Sequence, residues 1–369
     1  MNSLNRVVSF ALLLTVLCSP ASAFKLSPEG TDEERKLSGI DRSWWRSAEV
    51  RGANLFLNHF NEPVHEEITN RIYGCEGGSD LCGGMRVTRA PAPVLAGVRW
   101  NDDPPFRVNP NVAKSTCKSS QTIRFQTQPL CWLFLFRDAH TRALAGDQMD
   151  AKSGVALLYR THFGDLQFLH AMGAYEGEPA ERTRQNVLDW AKFTWSVAIG
   201  EVKIGTLLNT VEIPAIQESF GYTAWSVQDL WTLGSPGLRR HIRDVAFGSL
   251  LHLVQDSFAD GHVERASSDP GQRCKIGEEG MEAPGRIREF HAYNLQDGDS
   301  HASADSLRAF MLHLQEEADV VRVGELLLHA YESQEQWANV EPFFQCAFAL
   351  SSDARPASAG EAFRSSRGH

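Results

Sequence analysis

The chain has 369 residues, 42% hydrophobic and 22% charged, with a formal net charge of −10 at pH 7. The length suits one large domain able to bury most of its secondary structure. The acidic balance excludes a stable electrostatic grip on long duplex nucleic acid, which needs a basic face, but not brief contact with a phosphodiester through bound cations.

In chain order, Arg6, the apolar run Val7 to Leu17 and the closing Ala21-Ser22-Ala23 read as a secretory signal peptide over residues 1–23. Its removal takes Arg6 and no acid, so −10 becomes −11. No later window has 18 uninterrupted apolar residues, so no transmembrane segment is expected and the mature protein reads as secreted or periplasmic. Residues 24–43 are charged and aperiodic and read as a mobile leader or pro-segment, with order beginning at Trp44-Trp45. Pro63 and the acids Glu66 and Glu67 mark a helix start that carries His65, where a surface capping role fits equally well.

Gly74 to Gln128 is rich in turn formers and cysteines and reads as a disulfide-pinned loop region. Within it, Trp100-Asn101-Asp102-Asp103 precedes two prolines, a turn that could also present a carboxylate rigidly to a metal. Helical patterns follow over Pro129–Met172, ending at His162-Phe163-Gly164-Asp165, then over Arg182–Leu208 and Leu238–Val254. Residues 266–285 read as a loop holding Cys274, Ala304–Tyr331 as one helix, and 351–369 as a disordered tail. Apart from short loop pairings no strand alternation is found. The expectation is a single all-α domain over residues 44–350.

Without Cys18 of the signal, six cysteines remain, an even number that in an exported chain reads as up to three disulfides with fifteen possible connectivities. The short spacings favour Cys75–Cys82 and Cys117–Cys131, leaving Cys274–Cys346. A zinc-thiolate site is the competing use, but no C-x2-C pair is present.

The stretch GSLLHLVQDSFADGHVER, residues 248–265, places His252, Asp256 and His262 in an H-x3-D-x5-H array. His252 and Asp256 are one helical turn apart and share a face, so imidazole and carboxylate can close on one divalent metal. Asp260-Gly261 bends the chain so that His262 can swing back. A buried amphipathic helix with satisfied histidines is the competing explanation. A second H-x3-D lies at His301 and Asp305. With His65, Asp102 and His162, these nitrogen and oxygen donors suit zinc.

At this point the chain resembles the zinc-dependent phospholipase C and single-strand-specific nuclease superfamily, secreted all-helical enzymes with three zinc ions. The matching pieces run in the family's order over about residues 60–330: His65, Trp100-Asn101-Asp102, His162-Phe163-Gly164-Asp165, the H-x3-D-x5-H array, and His301 with Asp305. The resemblance implies a helical domain of that type with up to three Zn2+. Asp102, His162, His252 and Asp256 would hold one, Asp256 would bridge to another held by His65, and His262, His301 and Asp305 would hold the third.

Three departures are visible. The family's mature N-terminal Trp ligand is missing, since the signal cut leaves Phe24; a further cleavage exposing Trp44 or Trp45 is one remedy. Gly261 stands where the family has Pro. Phe290-His291 resembles another ligand motif, but the residue four positions on is Leu295, so His301 is preferred and His291 is left as a supporting residue. The implied activity is phosphodiester hydrolysis by metal-activated water, with Asp102 also orienting or deprotonating that water. The acidic charge and the aromatics Trp132, Phe134, Phe136, Trp225 and Trp231 favour a phospholipase C acting on phosphatidylcholine-like headgroups at a membrane surface. Trp100-Asn101-Asp102 leans toward a nuclease for single-stranded nucleic acid. A non-catalytic exported metal-binding protein is the third reading.

Overall fold

The computed structural model describes residues 26–40, 43–54, 62–75, 82, 89–108, 117–268, 271–314 and 318–365; the signal stretch 1–23 lies outside them. The chain is mainly helical, 52% helix and 8% strand. Fourteen α-helices are found among the described residues. They are α1 (Asp32–Ser38), α2 (Trp44–Asn54), α3 (Val64–Ile72), α4 (Ala92–Trp100), α5 (Pro129–Leu144), α6 (Leu157–Phe163) and α7 (Ala180–Ala198). The second half carries α8 (Pro214–Phe220), α9 (Val227–Thr232), α10 (Ile242–Asp256), α11 (Gly298–Ala304), α12 (Leu307–His313), α13 (Val320–Glu332) and α14 (Trp337–Ala347). None is long and apolar enough to cross a membrane.

Helix α10 is the axis. Every residue from Val245 to Asp256 is buried, the pattern of a helix enclosed on all sides rather than one with a wet face. It packs against α4 and α7. The α4 crossing is backbone to backbone: a Cβ on Gly97 would lie 2.1 Å from the Val245 carbonyl oxygen, and one on Gly248 would lie 2.1 Å from that of Val94. Only glycine permits this approach. Below the crossing, Trp100 stacks on Trp190 at 5.9 Å and its indole N–H donates to the Leu230 carbonyl at 3.1 Å, closing the core around α7 and α9.

Four short strands form two ladders. β1 (Val263–Arg265) pairs antiparallel with β4 (Ile287–Phe290), and β2 (Arg273–Ile276) with β3 (Glu279–Glu282). The first ladder starts just after His262 and ends just before His291, whose N–H donates to the His262 carbonyl at 2.7 Å. Disulfides join Cys75–Cys82, Cys117–Cys131 and Cys274–Cys346, as the spacings favoured. The last closes 72 residues of chain, worth about 4 kcal/mol by loop-closure entropy.

Several sequence expectations are corrected. The supposed mobile leader, residues 24–43, is folded over its described part: Leu26 and Ser27 are buried, and α1 starts with a Thr31–Glu34 capping box. Its anchors are polar, so apolar periodicity could not reveal it. The 74–128 loop region contains α4, whose Ala-Pro-Val-Leu-Ala-Gly-Val run is buried on nearly every side and so shows no amphipathic stripe. Residues 266–285 hold the β2–β3 hairpin. Ala304–Tyr331 is two helices, because Asp319 starts α13 afresh by accepting the Val321 and Arg322 N–H groups. The tail expected to be disordered from 351 is packed as far as residue 365: Ala357 and Ala359 are buried, and Ala292 N–H donates to the Ser358 carbonyl and Asp297 N–H to that of Phe363, each at 2.6 Å. Small residues let this strand lie close, which composition alone reads as low complexity.

Candidate metal centre

Helix α3 brings His65, the chain just past α4 brings Asp102, and the last turn of α10 brings His252 and Asp256 to one buried point. His65 Nε2 lies 3.4 Å from Asp256 Oδ1 and 3.8 Å from Asp102 Oδ2. His252 Nε2 is 2.9 Å from Asp256 Oδ2, so the one-turn spacing closes as expected. A residue not foreseen, His170, completes the set. Its Nδ1 is 2.8 Å from Asp256 Oδ2, 3.0 Å from His252 Nε2 and 3.7 Å from Asp102 Oδ1.

Beside it stands a second group. His262 Nε2 lies 3.6 Å from Asp305 Oδ2, and His301 Nε2 lies 2.8 Å from the same oxygen. Among the described residues, three sets of donors have ligand atoms within 4.8 Å of one another: His65, His252 and Asp256; Asp102, His170 and His252; and His262, His301 and Asp305. The missing Pro before His262 has a local reason, since a Cβ on Gly261 would sit 2.9 Å from His301 Nδ1.

His162 lines the same small cavity as His170, His262 and His301. It lies beside the centre, with its ring centroid 5.6 Å from that of His170, and its Nδ1 faces the Leu158 carbonyl at 3.1 Å and the Thr161 hydroxyl at 2.9 Å. It belongs to none of the three donor sets. His170, which does belong to one, stands at the end of a 3-10 turn, followed by Ala171 at φ 53°. An alanine in left-handed backbone turns the chain at once after His170; nothing in the local sequence announces it. His291 also stands apart, its Nδ1 directed at the Gly261 carbonyl at 3.1 Å.

The rings are oriented from behind. His252 Nδ1 faces the Val98 carbonyl at 2.7 Å, a contact made possible by the glycine crossing of α4 and α10. His65 Nδ1 faces Gln255 Oε1 at 2.6 Å, while Gln255 Nε2 donates to Thr69 Oγ1. His262 Nδ1 faces the His170 carbonyl at 2.8 Å. Holding the far ring nitrogen in this way is how proteins aim imidazoles at metals. Gln255 and the Val98 carbonyl were not legible as part of the site.

Protonation follows from this crowding. Burial drives His252 down to about 3, so its imidazole is neutral. Burial also opposes charge on Asp256, but His252, His262, His65 and the His170 contact outweigh it and hold the carboxyl well below its ordinary range. Asp102 is pushed far upward, first by burial and then by the charges of Asp256 and Asp305. His262 rises to about 9, because Asp256 and Asp305 overcome its burial.

The donors fit a divalent metal on an independent ground. Asp102 Oδ1, Asp256 Oδ1, Asp305 Oδ1 and His301 Nδ1 are buried and make no hydrogen bond. Each such atom costs about 1–3 kcal/mol unless something satisfies it. Carboxylate and imidazole atoms left over after their mutual contacts are what a cation resolves, and a mixed nitrogen and oxygen set suits zinc. The cavity among Thr161, His162, His170, His262, Tyr293 and His301 is about 10 Å³, room for one water.

The aromatics that suggested a lipid interface are mostly core: Trp132, Phe136 and Trp231 are fully buried, while Phe134 and Trp225 are half-buried. Compared with known protein families, curated proteins and solved structures, the chain matches none.

Proposed function

We propose that the chain is a metal-dependent phosphodiester hydrolase of the zinc phospholipase C and nuclease type, acting as a phospholipase C on phosphatidylcholine-like phospholipids. The observation that carries the hydrolase reading is the convergence of His65, Asp102, His170, His252 and Asp256 beside His262, His301 and Asp305, with buried donor atoms left without hydrogen bonds. Bound by these donors, zinc would supply Lewis acidity, acidifying water and offsetting charge on the phosphoryl oxygens.

The chain's own part is placement and proton handling. Val98 and Gln255 lock the rings of His252 and His65, so the donors need no rearrangement on binding. Asp256 faces both His65 and His252 and would be the carboxylate shared between the ions these residues hold. Asp102, whose Oδ1 makes no hydrogen bond and which faces His65 and His170, would be the group to orient or deprotonate the attacking water.

The acidic chain favours a phospholipid headgroup over a polyanion. Burial of Trp132, Phe136 and Trp231 leaves that charge as the main support for lipid, and Trp100-Asn101-Asp102 favours a single-strand nuclease as the second reading. Phosphatidylcholine and single-stranded DNA assayed side by side, with and without chelator, separate the two. Lipid cleavage lost on chelation is expected; cleavage of DNA alone would replace the lipid reading, and cleavage of neither would point to a protein that only holds metal.

A further inference from the structure

We infer that Arg99 is a positioning residue of the metal centre, and that the N-terminal segment 26–38 is a permanent part of that centre's scaffold, acting through Arg99. The inference rests on the metal reading above and extends it to residues outside the donor set.

Arg99 lies in the last turn of α4 and is 5% exposed. Its guanidinium donates to Glu66 on α3 at 2.7 Å, to the Ser27 carbonyl at 2.8 Å and to Glu34 on α1 at 3.4 Å. Glu66 in turn accepts the Ser27 N–H at 3.0 Å. Three pieces of chain, distant in sequence, are therefore fastened at one buried point.

That point sits directly behind the ligands. Glu66 is the neighbour of His65. The carbonyl of Val98, one residue before Arg99, orients His252. The Arg99 carbonyl accepts the Asp103 N–H at 3.0 Å, fixing the turn that presents Asp102. A shift of this turn would move His65, Asp102 and His252 relative to one another. A bidentate-capable guanidinium with all its partners buried is a rigid fastener, and lysine cannot reproduce its fork. The segment 26–38 is no removable pro-segment in this arrangement, because Ser27 and Glu34 supply two of the three partners that aim Arg99.

The test is zinc affinity, by competition with a chromophoric chelator, on the full mature chain, read beside thermal stability. Arg99→Gln is expected to weaken zinc binding by about 10- to 100-fold, the scale of lost outer-sphere support. Arg99→Lys should recover part of that loss. Glu34→Gln, which leaves the Arg99–Glu66 contact in place, should weaken binding several-fold and carries the test if Arg99→Gln does not fold. Val340→Ala, a cavity in the buried face of α14, serves as control and should lower the melting temperature while leaving zinc affinity unchanged. Native zinc affinity in folded Arg99→Gln and Glu34→Gln, or an equal loss in Val340→Ala, would overturn the inference. A wild-type chain that binds no zinc would remove the metal reading itself, and this inference with it.

Discussion

His65 and His252 sit on helices of nine and fifteen residues, and each has its far ring nitrogen held, by Gln255 and by the Val98 carbonyl. His301 sits on the seven-residue α11, with its Nε2 2.8 Å from Asp305 Oδ2 and no partner holding its far nitrogen, Nδ1. The first donor group is thus aimed by long elements and polar contacts. In the second, His262 alone has its far ring nitrogen held, by the His170 carbonyl, where a β-ladder, a short helix and the packed C-terminal segment meet. The comparison teaches that the two groups differ in pre-organisation while sharing donor chemistry, so they should differ in affinity and in sensitivity to mutation.

The largest effect is expected at Asp256, which faces His65, His170 and His252 and lies 3.8 Å from His262 Nδ1. Asp256→Asn should cut phosphodiester turnover on the order of 10³-fold and release metal from the first group; near-normal turnover would break the bridging role. Next comes the pair His170 and His162. His170→Ala should lower zinc affinity by about 10- to 100-fold, whereas His162→Ala, outside every donor set, should cost much less. The reverse ranking would restore His162 as the ligand. In a chelator titration, metal should leave the His262, His301 and Asp305 group first, by about tenfold in affinity; simultaneous release would erase the contrast drawn here.

A pH dependence of the second group is also expected. His262 is raised to about 9 without metal, so it carries a proton below that pH and loses it above. Zinc must displace this proton, so affinity at the second group should rise between pH 7 and 9, by up to about tenfold per unit. A flat profile measured by calorimetry in several buffers would contradict the assignment of His262 as a ligand.

What the sequence disclosed and what it hid follow the same physical division. The H-x3-D pairs were legible because one helical turn puts both side chains on one face, and both close in the structure. The disulfides were legible because short loops restrict pairing. His170 was hidden because its direction comes from a left-handed Ala171 after a 3-10 turn, while the His162-Phe163 motif lay nearby and drew the assignment. The segment 26–38 and residues 351–365 were hidden for another reason. Both are held by buried polar and backbone contacts, such as Arg99 to Ser27 and Ala292 to Ser358, which leave no apolar period.

The most direct measurement is the metal content of the chain, purified without chelator and without added metal, with anomalous diffraction at the zinc edge on the same material. Metal at the Asp256 group and at the Asp305 group is the predicted result. A folded chain in which those carboxylates and imidazoles hold the same positions with no metal between them would contradict the account.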